Sequence, residues 1–138
     1  MKSQVEFRSG RHCVYKIHVH LVFITKYRRA VFSKRVLEAL EISFRKICID
    51  FESELVEFEG ENDHVHLLIN YPPKHSISKL VNSLKGASSR VVRNLHYEEV
   101  SKLLWGGHLW SPSYFAGSCG GAPIDIIRKY IESQNTPD

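Results

Sequence analysis

Apolar and polar positions alternate from Tyr15 to Tyr27, which predicts a β-strand with His18, His20, Val22 and Ile24 on one face and Val19, Leu21 and Phe23 on the other. The period then changes. From Lys34 to Phe51, residues Val36, Leu37, Leu40, Phe44, Ile47 and Cys48 recur at helical spacing behind Ser33, a good N-cap. Glu54–Glu61 and His64–Tyr71 read as two strands joined through Gly60–Asp63, a hairpin that Pro72 and Pro73 terminate. Ser76 then caps a second helix carrying Ile77, Leu80, Val81, Leu84, Val91, Val92 and Leu95, which Gly86 is expected to bend. Gly106, Gly107 and Pro112 mark a loop, Tyr114–Cys119 a fourth strand, and Ala122–Gln134 a last helix with Pro123 in its first turn.

The order β-α-β-β-α-β-α predicts an α+β fold: an antiparallel sheet of four to five strands with helices mainly on one face, a split βαβ, ferredoxin-like arrangement. At 138 residues the chain fits one domain spanning 1–138. A hydrophobic fraction of 43% and a charged fraction of 25% exclude disordered and fibrous classes. No apolar run is long enough for a membrane span or a signal peptide, so a cytoplasmic location without membrane contact is expected. Cys13, Cys48 and Cys119 form no C-x-x-C pair, which argues against a zinc knuckle or disulfide framework.

The charge is unevenly placed. Residues 1–35 hold nine Lys/Arg against Glu6 alone, whereas residues 36–63 hold two against nine acids. A basic first segment and a second basic stretch over 74–93 suit phosphate contacts, with Lys26, Arg28 and Arg29 after the first strand and Lys85, Arg90 and Arg93 on the second helix as candidates. Solvated faces of ordinary proteins carry such charge too. Trp105, Trp110, Tyr114 and Phe115 suit either base stacking or a core.

His64 and His66 lie two apart on a strand, so both imidazoles leave the same face and can share one ion; half-buried structural histidines fit that spacing equally well. Tyr130 and Gln134 lie one helical turn apart on a common face, a placement open to packing as well as to chemistry.

Together these segments resemble the single-tyrosine HUH (His-hydrophobic-His) nucleases, in particular the TnpA-like transposases of minimal bacterial and archaeal insertion sequences. The resemblance runs through Tyr27-Arg28-Arg29, Asp63-His64-Val65-His66-Leu67-Leu68 and Leu84-Lys85-Gly86-Ala87-Ser88-Ser89-Arg90. It continues through Leu109-Trp110-Ser111-Pro112-Ser113-Tyr114-Phe115 and Ile127-Arg128-Lys129-Tyr130-Ile131-Glu132-Ser133-Gln134. Ser118-Cys119 stands where that family often has Thr-Val.

The resemblance implies that His64, His66 and Gln134 ligate a divalent metal and that Tyr130 is the nucleophile. A 5′-phosphotyrosine intermediate would then leave a free 3′-OH for rejoining. It also implies single-stranded hairpins at transposon ends as substrate, and a homodimer whose sites can be completed in trans. Two imidazoles and an amide oxygen leave positions for water and phosphate; the nitrogen ligands favour Mn²⁺, cellular abundance Mg²⁺. His20, on the histidine face of the first strand, either supports the site or is structural.

Among other classes, a histidine-triad hydrolase lacks its third histidine, since Leu68 stands there. A relaxase or replication initiator would carry extra domains. The remaining rival is a non-catalytic or domesticated single-stranded hairpin-binding regulator, which would need neither the histidine pair nor Tyr130.

Overall fold

A computed structural model describes residues 8–9, 13–95, 108–118 and 124–134, the side chains of Leu95 and of 124–127 excepted. Trp105 and Cys119 fall outside these residues. The elements in chain order are β1 (Arg8–Ser9), β2 (Val14–Tyr15), β3 (His18–Ile24), α1 (Lys34–Asp50), β4 (Glu54–Gly60), β5 (His64–Asn70), α2 (Ile77–Leu95), β6 (Phe115–Ser118) and α3 (Ile124–Ser133). The expected α+β architecture is present. Strands β4-β5-β3-β6 form one antiparallel sheet, and β1 and β2 form a separate two-stranded ribbon.

The alternation in β3 and β5 becomes two physically different faces. Val19, Leu21 and Phe23 of β3 and Val65, Leu67 and Ile69 of β5 are buried in one core cluster. From the helices come Val36, Leu40, Phe44 and Cys48 of α1 and Leu80, Val81, Leu84 and Val92 of α2. Burial of this kind contributes roughly 1.5–3 kcal/mol per large side chain, so the two helices and the sheet stabilise one another. Both helices start on serine caps: Ser33 Oγ accepts from Val36 N, and Ser76 Oγ accepts from Lys79 N. At the end of α1, Glu52 takes a left-handed φ of 54°, while Glu52 N donates to Ile49 O and Ser53 N to Cys48 O. That pair of bonds is the Schellman closure, here without the usual glycine.

Two features differ from the alternation pattern. The first strand ends at Ile24, and Lys26–Arg28 form a tight turn in which Tyr27 and Arg28 adopt left-handed φ of 59° and 55°. A bulge lies between Leu55 and Glu57, so Leu55 and Phe58, three apart, both reach the core while Glu57 and Glu59 turn to the other face. Helix α2 runs from Ile77 to Leu95 without interruption at Gly86, one continuous element rather than two.

The 109–111 segment is stitched to the end of β3. Lys26 N donates to Leu109 O, Ser111 N to Ile24 O, and Thr25 bridges Trp110. Trp110 is core: it meets Phe23, Phe32 and Phe44 edge-on or tilted, and its indole N–H donates to buried Ser88 Oγ at 3.1 Å. Tyr114 packs on the same cluster. Among the described residues, no helix is long and apolar enough to cross a membrane.

Candidate functional site

On the face away from α1 and α2, the strand register assembles the histidines. His66 pairs with Val22 and His64 with Ile24 across β3–β5, and His20 pairs with Leu68, so all three imidazoles share this face. Glu59 lies opposite His66 on β4, and Glu57 opposite Leu68. The result is a cavity of about 460 Å³ lined by His20, His64, His66, Glu57, Glu59, Glu61, Gly60 and Ile131. A histidine face ringed by carboxylates is suited to a cation.

Each imidazole has a defined neighbour. His64 Nδ1 lies 2.8 Å from Asp63 Oδ1; the carboxylate accepts, so Nδ1 is the donor and Nε2 is the ring nitrogen left to face another ligand. Asp63 is itself held, by Arg28 Nε at 3.4 Å and by its own carbonyl, which accepts from both Thr25 N and Thr25 Oγ1. His66 Nε2 lies 2.8 Å from His20 Nδ1 with the rings stacked 5.0 Å apart, so one ring donates to the other. Burial holds the His66 imidazolium below its ordinary pKa, aided by His20 and opposed by Glu59 and Glu57; burial lowers His20 also, against Glu57. Both rings are thereby biased toward the neutral, lone-pair-bearing form that a metal requires. The donor chemistry fits a divalent ion, although among the described residues no three His, Cys, Asp or Glu side chains converge on one point.

Helix α3 lies over this face, with the Tyr130 ring 5.7 Å from Phe115 of β6. Tyr130 and Gln134 do share one side of the helix, and they meet on Ser113. Ser113 Oγ donates to Gln134 Oε1 at 3.2 Å, which leaves the Tyr130 hydroxyl to donate to Ser113 Oγ at 2.9 Å. Ile131, rather than Gln134, lines the histidine cavity. Gln134 lines a neighbouring cavity of about 280 Å³ with Thr25, Lys26, Tyr27, Ser111, Pro112 and Ser113. The structure therefore brings His20, His64 and His66 together, and Tyr130 and Gln134 together, as two adjoining groups.

The candidate DNA contacts separate into two sets. Lys26 lines the second cavity beside the turn that holds Arg28 and Arg29. Lys85 is half-buried rather than free on the surface. Its ammonium is turned inward onto Ser111 O at 2.7 Å and Ser113 O at 3.3 Å, and burial pushes its pKa down to about 8. Arg28 is paired with Asp63. Arg90 lines a groove between α1 and α2, on the helical layer and thus across the sheet from the histidines, and Arg93 is exposed on the same helix.

Sequence reasoning passed over Asp63, Ser113, Glu57 and Glu59. Asp63 had a legible signal, a carboxylate directly before the first histidine. Ser113 lies in a segment that carries the family resemblance, but its role has no local signal, because its bonds to Tyr130 and Gln134 join residues 17 and 21 positions away.

Comparison with known proteins places this geometry. The model of the IS200-like transposases matches residues 13–134. The chain is 37% identical over 131 residues to the ISDra2 transposase TnpA of Deinococcus radiodurans, covering 95% of this chain and 93% of that protein. It is 31% identical over 134 residues to the transposase for insertion sequence element IS200 of Salmonella typhimurium, covering 95% and 85%. A crystal structure from Deinococcus radiodurans R1, its chain assigned as a transposase, superposes with a TM-score of 0.83 at 37% identity, over 94% of this chain and 99% of that one. A REP-associated tyrosine transposase bound to a REP hairpin shares the fold, with a TM-score of 0.55 at 12% identity over 91% and 68%. With the match extending from the first strands to Gln134, the chain belongs to the IS200-like transposase family.

Proposed function

We propose that this transposase cleaves and rejoins single-stranded DNA at transposon ends through a covalent bond to Tyr130, in a site where His64 and His66 hold a divalent cation. One observation carries the reading. The Asp63 carboxylate accepts from His64 Nδ1 and so leaves Nε2 as the nitrogen presented to a ligand, in a carboxylate-rimmed cavity beneath the helix that bears the tyrosine.

His64 and His66 would hold the cation, Mg²⁺ or Mn²⁺, and it would supply Lewis acidity that offsets charge developing during displacement. The chain's own groups do the rest. The Tyr130 oxygen forms a bond to phosphorus as the bond from phosphorus to the 3′ oxygen breaks; the phenolic proton leaves and the departing oxygen gains one, giving a 5′-phosphotyrosine and a free 3′-OH. Attack by a 3′-OH on that linkage reverses the bond changes and restores the phenol, so no nucleotide hydrolysis is needed.

In the resting arrangement the phenol proton is engaged by Ser113 Oγ and the Gln134 oxygen by the Ser113 hydroxyl. For Gln134 to act as a third ligand it must leave Ser113, from its own chain or from a second copy. A homodimer follows from the chemistry, because one tyrosine per chain cannot process two ends together. Strand ends folded as hairpins are the proposed substrate. The hairpin held by the REP-associated neighbour, which shares this fold, supports that choice.

The test is direct. Labelled hairpin DNA with single-stranded flanks is incubated with protein and Mg²⁺ or Mn²⁺, and a denaturation-resistant adduct is sought. The wild type should form it and Tyr130→Phe should not. An adduct that persists in the variant would assign the attack to another side chain. Binding without any adduct on cognate ends would favour a regulator that only holds the hairpin.

A further inference from the structure

The second cavity is chemically unlike the first, and the reaction above draws only on its Ser113 and Gln134 edge. Its lining comprises Lys26, Tyr27, Thr25, Ser111, Pro112, Ser113 and Gln134, and among the described residues that line it there is no carboxylate. The histidine cavity is lined by three. An ammonium with hydroxyls and no competing anion is a setting for a phosphate oxygen.

Its position gives it a role. Thr25 N donates to Asp63 O, so the Lys26–Arg28 turn begins where β5 delivers His64. Across the cavity stand Ser111 and Ser113, their hydroxyl oxygens 3.4 Å apart, with Tyr130 and Gln134 both bonded to Ser113. A strand whose reacting phosphate sits over the histidines would have this cavity beside its path, since Thr25 of its wall is bonded to the residue before His64.

The walls are also built rather than accidental. Tyr27 and Arg28 both adopt left-handed φ, a conformation costly for non-glycine residues and retained where surroundings over-determine it, as at ligand clamps. Thr25 Oγ1 ties the turn by donating to Arg29 O and Asp63 O. Lys85 fixes the opposite wall from beneath through the carbonyls of Ser111 and Ser113, and its ammonium adds positive potential there.

We infer that this cavity seats a phosphodiester of the single-stranded substrate next to the one that is cut, with Lys26 and the hydroxyls of Ser111 and Ser113 facing its oxygens and Tyr27 beside the adjoining base. The inference rests on the single-stranded DNA reading above. The Lys26 nitrogen lies 5.7 Å from the Tyr27 ring centre, so cation and aromatic surface are presented together. Seating the neighbouring phosphate fixes the strand's register, which determines the linkage that Tyr130 meets.

The experiment uses the full chain and cognate hairpin strands carrying a single uncharged methylphosphonate at successive linkages around the cleavage point. Affinity is read by fluorescence anisotropy, and adduct formation is read in parallel. One linkage adjoining the cleavage point should weaken wild-type binding about tenfold when neutralised, a loss typical of a charge-assisted contact. Lys26→Met, which keeps the stem over Tyr27, should lose a similar factor on the unmodified strand and lower the salt slope by about one. In that variant the same methylphosphonate should cost nothing further, because the two changes remove one contact. Ser111→Ala serves as a second probe, expected to weaken the same linkage selectively.

Losses that multiply independently, or that spread evenly over all linkages, would overturn the assignment while leaving wild-type adduct formation intact. A wild type that neither binds these strands nor forms an adduct would instead remove the single-stranded DNA reading, and this inference with it.

Discussion

Two cavities adjoin beneath one helix, and they differ in what they would hold. The larger, of about 460 Å³, presents three histidines within a rim of Glu57, Glu59 and Glu61; the smaller, of about 280 Å³, presents Lys26 and serine hydroxyls. The contrast arises from the backbone. The bulge at Val56 turns Glu57 and Glu59 toward the histidine face, whereas the left-handed Tyr27–Arg28 turn carries the basic segment past the strand end. Opposite charge preferences within a few residues are what a phosphodiester reaction needs, since its cation and its flanking anion must be close without sharing ligands. Asp63 is the seam, bonded to His64 on one side and to Thr25 and Arg28 on the other.

The largest break in that comparison comes from emptying the cation side. His64→Ala should reduce metal-dependent adduct formation by about three orders of magnitude, the scale of several kcal/mol of charge stabilisation. Hairpin affinity should stay within about threefold, because phosphate contacts supply most of it. Quantified adduct yield and anisotropy on the same samples check both. A parallel loss of thermal stability and affinity would show that His64 serves the fold instead.

The seam should respond less. Asp63→Ala removes the acceptor that sets the His64 tautomer and the partner of Arg28, and should weaken Mn²⁺ binding about 10- to 100-fold. Titration followed by electron paramagnetic resonance measures this without any turnover. An unchanged affinity would mean that the histidines orient themselves without the carboxylate.

How far the sequence revealed this arrangement depends on the range of the interactions involved. Elements with many repeats of one period were readable: β3, β5, α1 and α2 lie where Val19 to Phe23, Val65 to Ile69, and the stripes of Val36 to Cys48 and Leu80 to Val92 place them. His20, His64 and His66 share a face because alternation along a strand is local geometry. The bulge at Val56 was not readable, since Leu55-Val56-Glu57-Phe58 fits two registers and only pairing with β5 selects one. The β1–β2 ribbon is too short to show a period. Lys85 looked like surface charge because helical position alone does not tell that the 111–113 loop closes over it. The positions of Tyr130 and Gln134 on Ser113 depend on the docking of α3, set by contacts distant in sequence.

A smaller effect is expected where Trp110 joins the core to the second cavity's wall. Trp110→Phe keeps an aromatic among Phe23, Phe32 and Phe44 but leaves Ser88 Oγ without its indole donor in a fully buried position. The expected cost is about 1–3 kcal/mol, from the unmade hydrogen bond together with lost packing. Urea unfolding reads it. Because Trp110 pairs with Thr25 and precedes Ser111, the variant should weaken strand binding before it alters metal affinity, which sharpens the division between the two cavities.

The smallest effect, and the one that most directly probes the second cavity's wall, is the pH response of Lys85. Its pKa is pushed by burial from 10.5 down to about 8, whereas in the unfolded chain it regains its ordinary value. Between about pH 8 and 10.5 the unfolded chain therefore binds more protons than the folded one, and stability must rise with pH across that window through this group. The carbonyls of Ser111 and Ser113 oppose the trend, since loss of the proton weakens their acceptance from the ammonium. The side chain is partly open to water, so the net slope should be shallow. Lys85→Met removes the titrating group and should flatten the slope from pH 8 to 10, as measured by urea unfolding at each pH. A slope equal in both proteins would assign the alkaline response elsewhere and remove Lys85 as the charged support of the serine loop.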